Sequence, residues 1–163
     1  MQLNFVKSGS GEALIILHGL FGMLDNWKSV SKELENYFTV YLIDQRNHGK
    51  SPHTPEHSYK LMSADLFEFF THQNISSAKI IGHSMGGKTA MQFALDHPSL
   101  IQKLIIVDMG IKRYSGGHDN IFDALFSVDL SKIHYRSDAE KILLDKIPDF
   151  STRQFVLKNI TRN

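Results

Sequence analysis

The sequence contains no cysteine and almost no net charge. Without cysteine, the 163-residue chain has no disulfide framework and no cysteine-based metal site. Its 18 lysines and arginines oppose 17 aspartates and glutamates, and the net charge of +1 gives no attraction to nucleic acid or to an anionic membrane. We therefore expect neither a nucleic-acid nor a membrane partner.

Long apolar segments are also absent. The run Leu14–Leu17 is too short to cross a bilayer, and residues 1–7 lack the basic stretch and apolar core of a secretory signal. A cytoplasmic protein is the default expectation. No histidine spacing indicates a metal site.

What the sequence does contain is an alternation of strand and helix patterns in a chain that is 42% hydrophobic. We predict strands at 3–7, 13–18, 38–44, 78–83 and 103–108, and helices at 26–36, 59–72 and 85–96. Strands that alternate with helices indicate a mostly parallel sheet with helices on both faces. Beyond residue 109 no strand pattern returns. A loop rich in glycine and charge is predicted at 111–120, and short helices are predicted at 121–126, 139–147 and 151–160.

The segment Gly82–Gly86 fits the pattern G-x-S-x-G, in which a serine stands on a sharp turn between a strand and a helix. An apolar run precedes it, and apolar residues at helical spacing follow it as far as His97 and Pro98. This context favours Ser84 as a nucleophile. The alternative is that Ser84 only caps the following helix, because serine is a common N-cap residue.

A second motif supports the nucleophile. The apolar strand Ala13–Leu17 leads directly into His18–Gly22, where a loop could supply a backbone N–H to a developing oxyanion. We predict that the N–H groups of Leu20 and Met85 form this oxyanion hole, with Phe21 as the alternative to Leu20. His18 is predicted to orient the loop through hydrogen bonds.

These motifs resemble those of the α/β-hydrolase superfamily, and within it the small serine esterases. The resemblance lies in H-G-L-F-G (His18–Gly22), D-x-R-N-H-G-x-S (Asp44–Ser51) and G-H-S-M-G-G-K (Gly82–Lys88). It implies the α/β-hydrolase fold and hydrolysis of short- to medium-chain acyl esters or thioesters, acyl-CoA included. It also implies an acyl-enzyme on Ser84 and no cofactor.

The resemblance also implies a division of the chain. Residues 1–110 would form the N-terminal part of the hydrolase core, and residues 111–163 part of a helical cap. In such enzymes the cap shapes the acyl pocket, so Phe122 and Phe126 are candidate substrate-binding residues together with Phe21 and His18. Plain packing of apolar helix positions is the alternative.

The triad acid is less clearly indicated than the serine. Asp108 follows an apolar strand, and the carboxyl ends of parallel strands face the active site in open sheets. We predict that Asp108 is the acid, while an acid one strand later is the alternative that other family members use. Asp44 is predicted to fix its loop together with Arg46 and His48.

The family's catalytic histidine follows the last strand of the fold, and no matching segment is present before Asn163. We therefore expect this chain to be a fragment, nearly inert alone, that a second chain with the C-terminal part completes. The strand 103–108 would then be an exposed apolar edge. The internal histidines worth testing as a base are His118 and His134. A non-catalytic binding module, another acyl transfer and a cofactor-free lyase remain alternatives.

Overall fold

The computed structural model describes residues 1–112, 114 and 117–160. The strands are β1 (Phe5–Ser8), β2 (Glu12–Leu17), β3 (Phe38–Ile43), β4 (Ala78–His83) and β5 (Ile101–Val107). The α-helices are α1 (Lys28–Leu34), α2 (Tyr59–His72), α3 (Met85–Asp96), α4 (Asp119–Phe126), α5 (Arg136–Leu144) and α6 (Phe150–Leu157). Short 3₁₀ helices lie at Leu24–Trp27, Pro98–Leu100 and Leu130–Lys132. No helix in this described part of the chain is both long and apolar enough to cross a bilayer.

The strands form one sheet in the order β1-β3-β2-β4-β5. The pairing of β1 with β3 is antiparallel, and every other pairing is parallel. Parallel neighbours require crossovers, which α1, α2 and α3 provide between successive strands. The predicted, mostly parallel sheet is therefore confirmed. Within the described residues β5 pairs only with β4, so it is an edge strand as the sequence predicts.

Helices cover both faces of the sheet. Along β2, Ile15 and Leu17 contribute to a cluster that includes apolar residues of α2 and α3. Leu14 and Ile16 point to the opposite cluster, which includes Leu24 and, at its border, Leu34 of α1. Side chains alternate between the faces of a strand, so a strand covered on both faces must be apolar throughout. This is why the central strands are so readily recognised in the sequence.

Several predicted boundaries are wrong by a few residues. The helix predicted at 26–36 is a 3₁₀ helix followed by α1, because the side chain of Asn26 accepts the N–H of Met23 and starts the turn early. Three strands end one residue sooner than predicted. As a result His18, Asp44 and Asp108 each stand immediately beyond a strand, at the sheet edge where parallel strands deliver their functional side chains.

The chain divides into two compact units, Met1–Gly110 and Ile111–Asn163. The predicted roles of residues 1–110 as a hydrolase core and of 111–163 as a cap stay predictions. The loop predicted at 111–120 falls partly on Arg113, Ser115 and Gly116, which lie outside the described residues.

Two helices of the second unit, α5 and α6, begin earlier than predicted because acidic side chains bond to N–H groups at their N-termini. The Asp149 carboxylate accepts the N–H of Thr152 at 2.6 Å, so α6 begins at the next residue, Phe150. The Asp138 carboxylate accepts the N–H of Tyr135 at 2.9 Å and fixes the start of α5. Carboxylates at helix N-termini also complement the helix dipole.

The buried carboxylate of Asp44 holds three parts of the first unit together. It accepts hydrogen bonds from the Leu24 N–H at 2.7 Å, the Asn4 side-chain amide at 2.7 Å and the Lys50 N–H at 2.9 Å. A Cβ atom on Gly49, where φ is +55°, would lie 2.2 Å from this carboxylate. The turn after β3 therefore requires glycine at that position.

Arg46 is anchored elsewhere. Its guanidinium forms a two-pronged ion pair with the buried carboxylate of Asp65 in α2, at 2.6 and 2.8 Å. The ring of His48 donates from Nδ1 to the Arg46 carbonyl at 2.9 Å. The predicted cluster is thus correct in giving Asp44 a role in fixing the loop. Arg46 fixes the same loop through Asp65 of α2 rather than through Asp44.

We expect Asp44→Asn to lower the free energy of unfolding by about 1–3 kcal/mol, because the amide removes an acceptor from a buried N–H. Urea unfolding at pH 7 measures this effect. Asp25→Asn is the matched control, since Asp25 is exposed and forms a surface ion pair with Lys28, and we expect it to change stability by less than about 0.5 kcal/mol. Equal effects of the two substitutions would contradict the role of Asp44.

Candidate active site

Ser84 occupies a strained turn between β4 and α3. Its φ of 49° and ψ of −113° are unusual for a residue with a Cβ atom. Its N–H donates to the Val107 carbonyl at 3.0 Å, and its side chain makes no capping hydrogen bond to the helix. The alternative interpretation of Ser84 as a simple N-cap is therefore wrong. Strain of this kind concentrates at functional sites.

Glycines allow the turn to contact the neighbouring backbone. A Cβ atom on Gly82 would lie 2.5 Å from the Gly86 carbonyl oxygen. A Cβ atom on Gly86 would lie 2.4 Å from the Leu17 carbonyl oxygen and 2.6 Å from that of His18. These distances leave no room for a side chain. The end of β2 therefore lies directly against the turn that carries Ser84.

The residues after β2 form a second tight turn beside Ser84. The Gly22 N–H donates to the Gly19 carbonyl at 3.0 Å, and Phe21 at the third position has a φ of 60°. A positive φ at this position is typical of a type II turn. A Cβ atom on Gly19 would lie 3.3 Å from the Cβ atom of Ser84. The loop and the serine are thus immediate neighbours.

The N–H groups of Leu20 and Met85 have no hydrogen-bond acceptor among the described residues. Leu20 lies in the turn beside Ser84, and Met85 is the first residue of α3, where backbone N–H groups are not used by the helix. These are the two donors that the sequence predicts for an oxyanion hole. Leu20 follows Gly19, which contacts Ser84, and Met85 follows Ser84 directly in the chain.

His18 is buried, with 1% of its surface exposed, and both its ring nitrogens are engaged. Nδ1 donates to the Gly19 carbonyl at 2.8 Å, so Nε2 carries no proton and accepts the Gln45 N–H at 3.0 Å. Burial lowers the pKa of His18 to about 4, although the bond to Gly19 acts in the opposite direction. No ring nitrogen of His18 is left to bind a substrate. Of the two roles predicted for His18, the hydrogen bonds support the positioning of the loop.

Asp108 stands next to Ser84 at the edge of the sheet. His83 and Val107 are paired residues of β4 and β5, and Ser84 and Asp108 follow them directly. The Asp108 side chain is 87% exposed, and its Oδ2 lies 3.9 Å from Nε2 of His83. The backbone φ of Asp108 is 53°, a second strained position beside Ser84. The sheet register thus places the predicted acid and nucleophile on adjacent strand ends.

The contacts of two residues near the site, His83 and Gln45, were not predicted from the sequence. The ring of His83 lies beside Asp108 and is 6.3 Å from the ring of Trp27. Gln45 contacts His18 through both its main chain and its side chain. The only sequence signal for Gln45 is its place in the variable position of D-x-R-N-H-G-x-S.

Phe122 and Phe126 belong to the second unit. They lie four residues apart on α4, with ring centroids 6.4 Å apart, and Phe126 is 84% exposed. Their predicted contact with substrate stays a prediction, and so does the use of His118 or His134 as a base. The described residues contain no group of three or more histidine or acidic side chains that could hold a metal ion.

Comparisons with known proteins agree with this geometry. A family model described as alpha/beta hydrolase fold matches residues 12–138. Esterase YbfF of Escherichia coli (strain K12) is 35% identical over 147 residues, which cover 90% of this chain and 58% of that protein. The sn-1-specific diacylglycerol lipase ABHD11 of Danio rerio is 37% identical over 165 residues, which cover 96% of this chain and 52% of that protein.

A solved structure titled "Marine microorganism esterase" is 50% identical to this chain. It superposes with a TM-score of 0.97 over 99% of this chain and 65% of its own length. The chain therefore spans between about half and two thirds of the length of these three proteins.

We expect Gly86→Ala to lower the free energy of unfolding by more than about 2 kcal/mol, because the new methyl group would overlap two backbone carbonyls. Chemical denaturation at pH 7 measures the loss. Gly117→Ala is the control, since a Cβ atom there meets nothing within 4 Å. A Gly86→Ala protein as stable as this control would argue against the close backbone contact.

We expect stability to fall as the pH decreases from about 6.5 towards 4, because His18 titrates near 6.5 when unfolded and near 4 when folded. The unfolded chain then binds a proton that the native state excludes. As the pH falls from 6.5 to 5, we expect the titration of His18 to lower the free energy of unfolding by about 2 kcal/mol. His48, whose pKa burial also lowers, acts in the same direction.

Urea unfolding at pH 7 and pH 5 tests this prediction. His18→Gln should reduce the difference between the two pH values, whereas His72→Gln, at an exposed position of α2, should leave it unchanged. An undiminished difference in His18→Gln would show that other groups cause the pH dependence.

Proposed function

Because the chain belongs to the alpha/beta hydrolase fold family, we propose that it carries the nucleophile of a serine esterase. The observation that carries this proposal is Ser84 on its strained turn, with the N–H groups of Leu20 and Met85 beside it. A module that only binds a ligand has no need of such a turn, which costs stability. The relatives named as esterases favour a carboxylic ester or thioester substrate.

The proposed reaction is a two-step acyl transfer. A histidine removes the proton from Ser84, whose Oγ attacks the carbonyl carbon of the substrate. The Leu20 and Met85 N–H groups donate hydrogen bonds to the oxyanion, which stabilises the transition state more than the substrate. The alcohol or thiol then leaves with the proton, and water hydrolyses the acyl-enzyme on Ser84. No cofactor takes part in this scheme.

Asp108 is the proposed acid that orients the histidine. Its exposed carboxylate at the end of β5 leaves room for an imidazole to approach between it and Ser84. Phe21, Phe122 and Phe126 are the proposed apolar contacts of the acyl group. An acid further along the fold remains the alternative to Asp108.

We propose that the catalytic histidine comes from the rest of the fold. Within residues 1–110, the Ser84 hydroxyl has no hydrogen bond to a histidine. The edge strand β5 exposes Ile105 and Val107 and offers an unpaired row of backbone groups for further strands. A second polypeptide, or a continuation of this one, would pair there and bring the base to Ser84. We call the chain together with that part the completed protein.

The test uses the completed protein, a p-nitrophenyl acyl ester and a fluorophosphonate probe. We expect Ser84→Ala to abolish labelling and to lower kcat by about 10⁶-fold, since the other residues cannot replace the nucleophile. Ser10→Ala, at an exposed serine, is the control and should leave both unchanged. Labelling that persists in Ser84→Ala would refute the assignment.

The acid is tested in the same assay. Asp108→Asn should lower kcat by about 10⁴-fold, because the amide no longer stabilises the required form of the histidine. Labelling of the 163-residue chain alone would instead indicate an internal base such as His118 or His134. An unchanged kcat in Asp108→Asn would place the acid elsewhere in the completed protein.

A further inference from the structure

We propose that Gln45 is a positioning residue, whose amide holds the His18 carbonyl and thereby aims the oxyanion-hole N–H of Leu20. This inference rests on the proposed function of Ser84. Gln45 follows Asp44 after β3, and within the described residues its hydrogen bonds to the site are made with His18.

Gln45 forms hydrogen bonds with both the ring and the main chain of His18. Its backbone N–H donates to Nε2 of the His18 ring at 3.0 Å, and its side-chain Nε2 donates to the His18 carbonyl at 2.7 Å. Gln45 is 3% exposed and His18 is 1% exposed, so water does not compete for these bonds. The two bonds fix the ring and the main chain of His18 relative to each other.

His18 transmits this constraint to the oxyanion loop. Its Nδ1 and the Gly22 N–H both donate to the Gly19 carbonyl, at 2.8 and 3.0 Å. A peptide unit is planar and trans, so its C=O and N–H point in opposite directions. Fixing the Gly19 carbonyl therefore fixes the Leu20 N–H, which belongs to the same peptide unit.

The main chain at Gln45 is held in place by the neighbouring residue. The next residue, Arg46, is tied to Asp65 of α2 by the buried two-pronged ion pair. On the other side, the His18 carbonyl packs against Gly86 in the turn that carries Ser84. The main chain of Gln45 is thus held by α2, and its side chain reaches the meeting point of β2 and the Ser84 turn.

The side-chain oxygen of Gln45 is buried without a hydrogen-bond partner in the described part of the chain, and this bears on the role of the residue. Because the His18 carbonyl can only accept, the amide nitrogen must face it and the oxygen must point away. That oxygen is buried and accepts no hydrogen bond from any residue in the described ranges. An unpaired buried acceptor destabilises a fold, so the Gln45 oxygen offsets the stability that the hydrogen bond to the His18 carbonyl contributes. The amide therefore contributes little net stability, which fits a role in positioning the His18 carbonyl.

The test substitutes Gln45→Met in the completed protein. Methionine has a similar length and removes both the donor and the unpaired oxygen. We expect the melting temperature to change little, because loss of the unpaired oxygen offsets loss of the donor to the buried His18 carbonyl, while kcat falls about tenfold and KM changes less than twofold. We expect kcat to change more than KM because the oxyanion, which the Leu20 N–H would bind, exists only in the transition state. Gln92→Met is the control, since it also loses one amide hydrogen bond, to Asp96, and should leave kcat unchanged.

A second measurement does not depend on activity. The ¹⁵N–¹H signals of the Leu20 amide and of the His18 Nδ1 proton should shift in Gln45→Met and stay unchanged in Gln92→Met. If the unsubstituted protein hydrolyses no ester, the proposed esterase function fails, and these signals still decide whether Gln45 positions the loop. Unshifted signals would overturn the inference, and so would a lower melting temperature with an unchanged kcat.

Discussion

The close contact between the Ser84 turn and the end of β2 is the constraint on which the rest of the site depends. It exists because Gly86 has no side chain and can lie against the carbonyls of Leu17 and His18. Two backbone segments that are far apart in sequence then meet without any side chain between them. The turn that contains Leu20 lies beside Ser84 as a direct result, and Met85 follows Ser84 in the chain.

The polar residues that follow the strands keep this contact in register. Asp44 ties the β3 turn to the residues before β1 and to the first 3₁₀ helix through three hydrogen bonds. Arg46 ties the same turn to α2, and Gln45 between them holds His18. An unpaired buried polar group lowers the stability of the fold. Each of these hydrogen bonds therefore fixes both the distance and the orientation of the two groups that it joins. The loop beside Ser84 is thus supported by side chains that are themselves buried.

The sequence predicts the parts of this structure that depend on local pattern. β4 and α3 have the predicted bounds, because an apolar run and a glycine-rich turn define them within about 20 residues. Ser84 could be found for the same reason. The partners of Arg46 and Gln45 could not be predicted, because they lie 19 and 27 residues away and depend on which polar group the fold delivers. The proximity of His83 to Asp108 likewise follows from the pairing of β4 with β5 and not from either strand alone.

Phe21, Ser84 and Asp108 all have a positive φ, which glycine would adopt with less strain. Selection for heat resistance alone would therefore favour glycine at these three positions. Each such change would relax the backbone and delete a side chain of the candidate site. Thermal stability and reactivity thus make opposite demands on these three residues. Substitutions that raise the melting temperature without loss of activity must therefore lie in other parts of the chain.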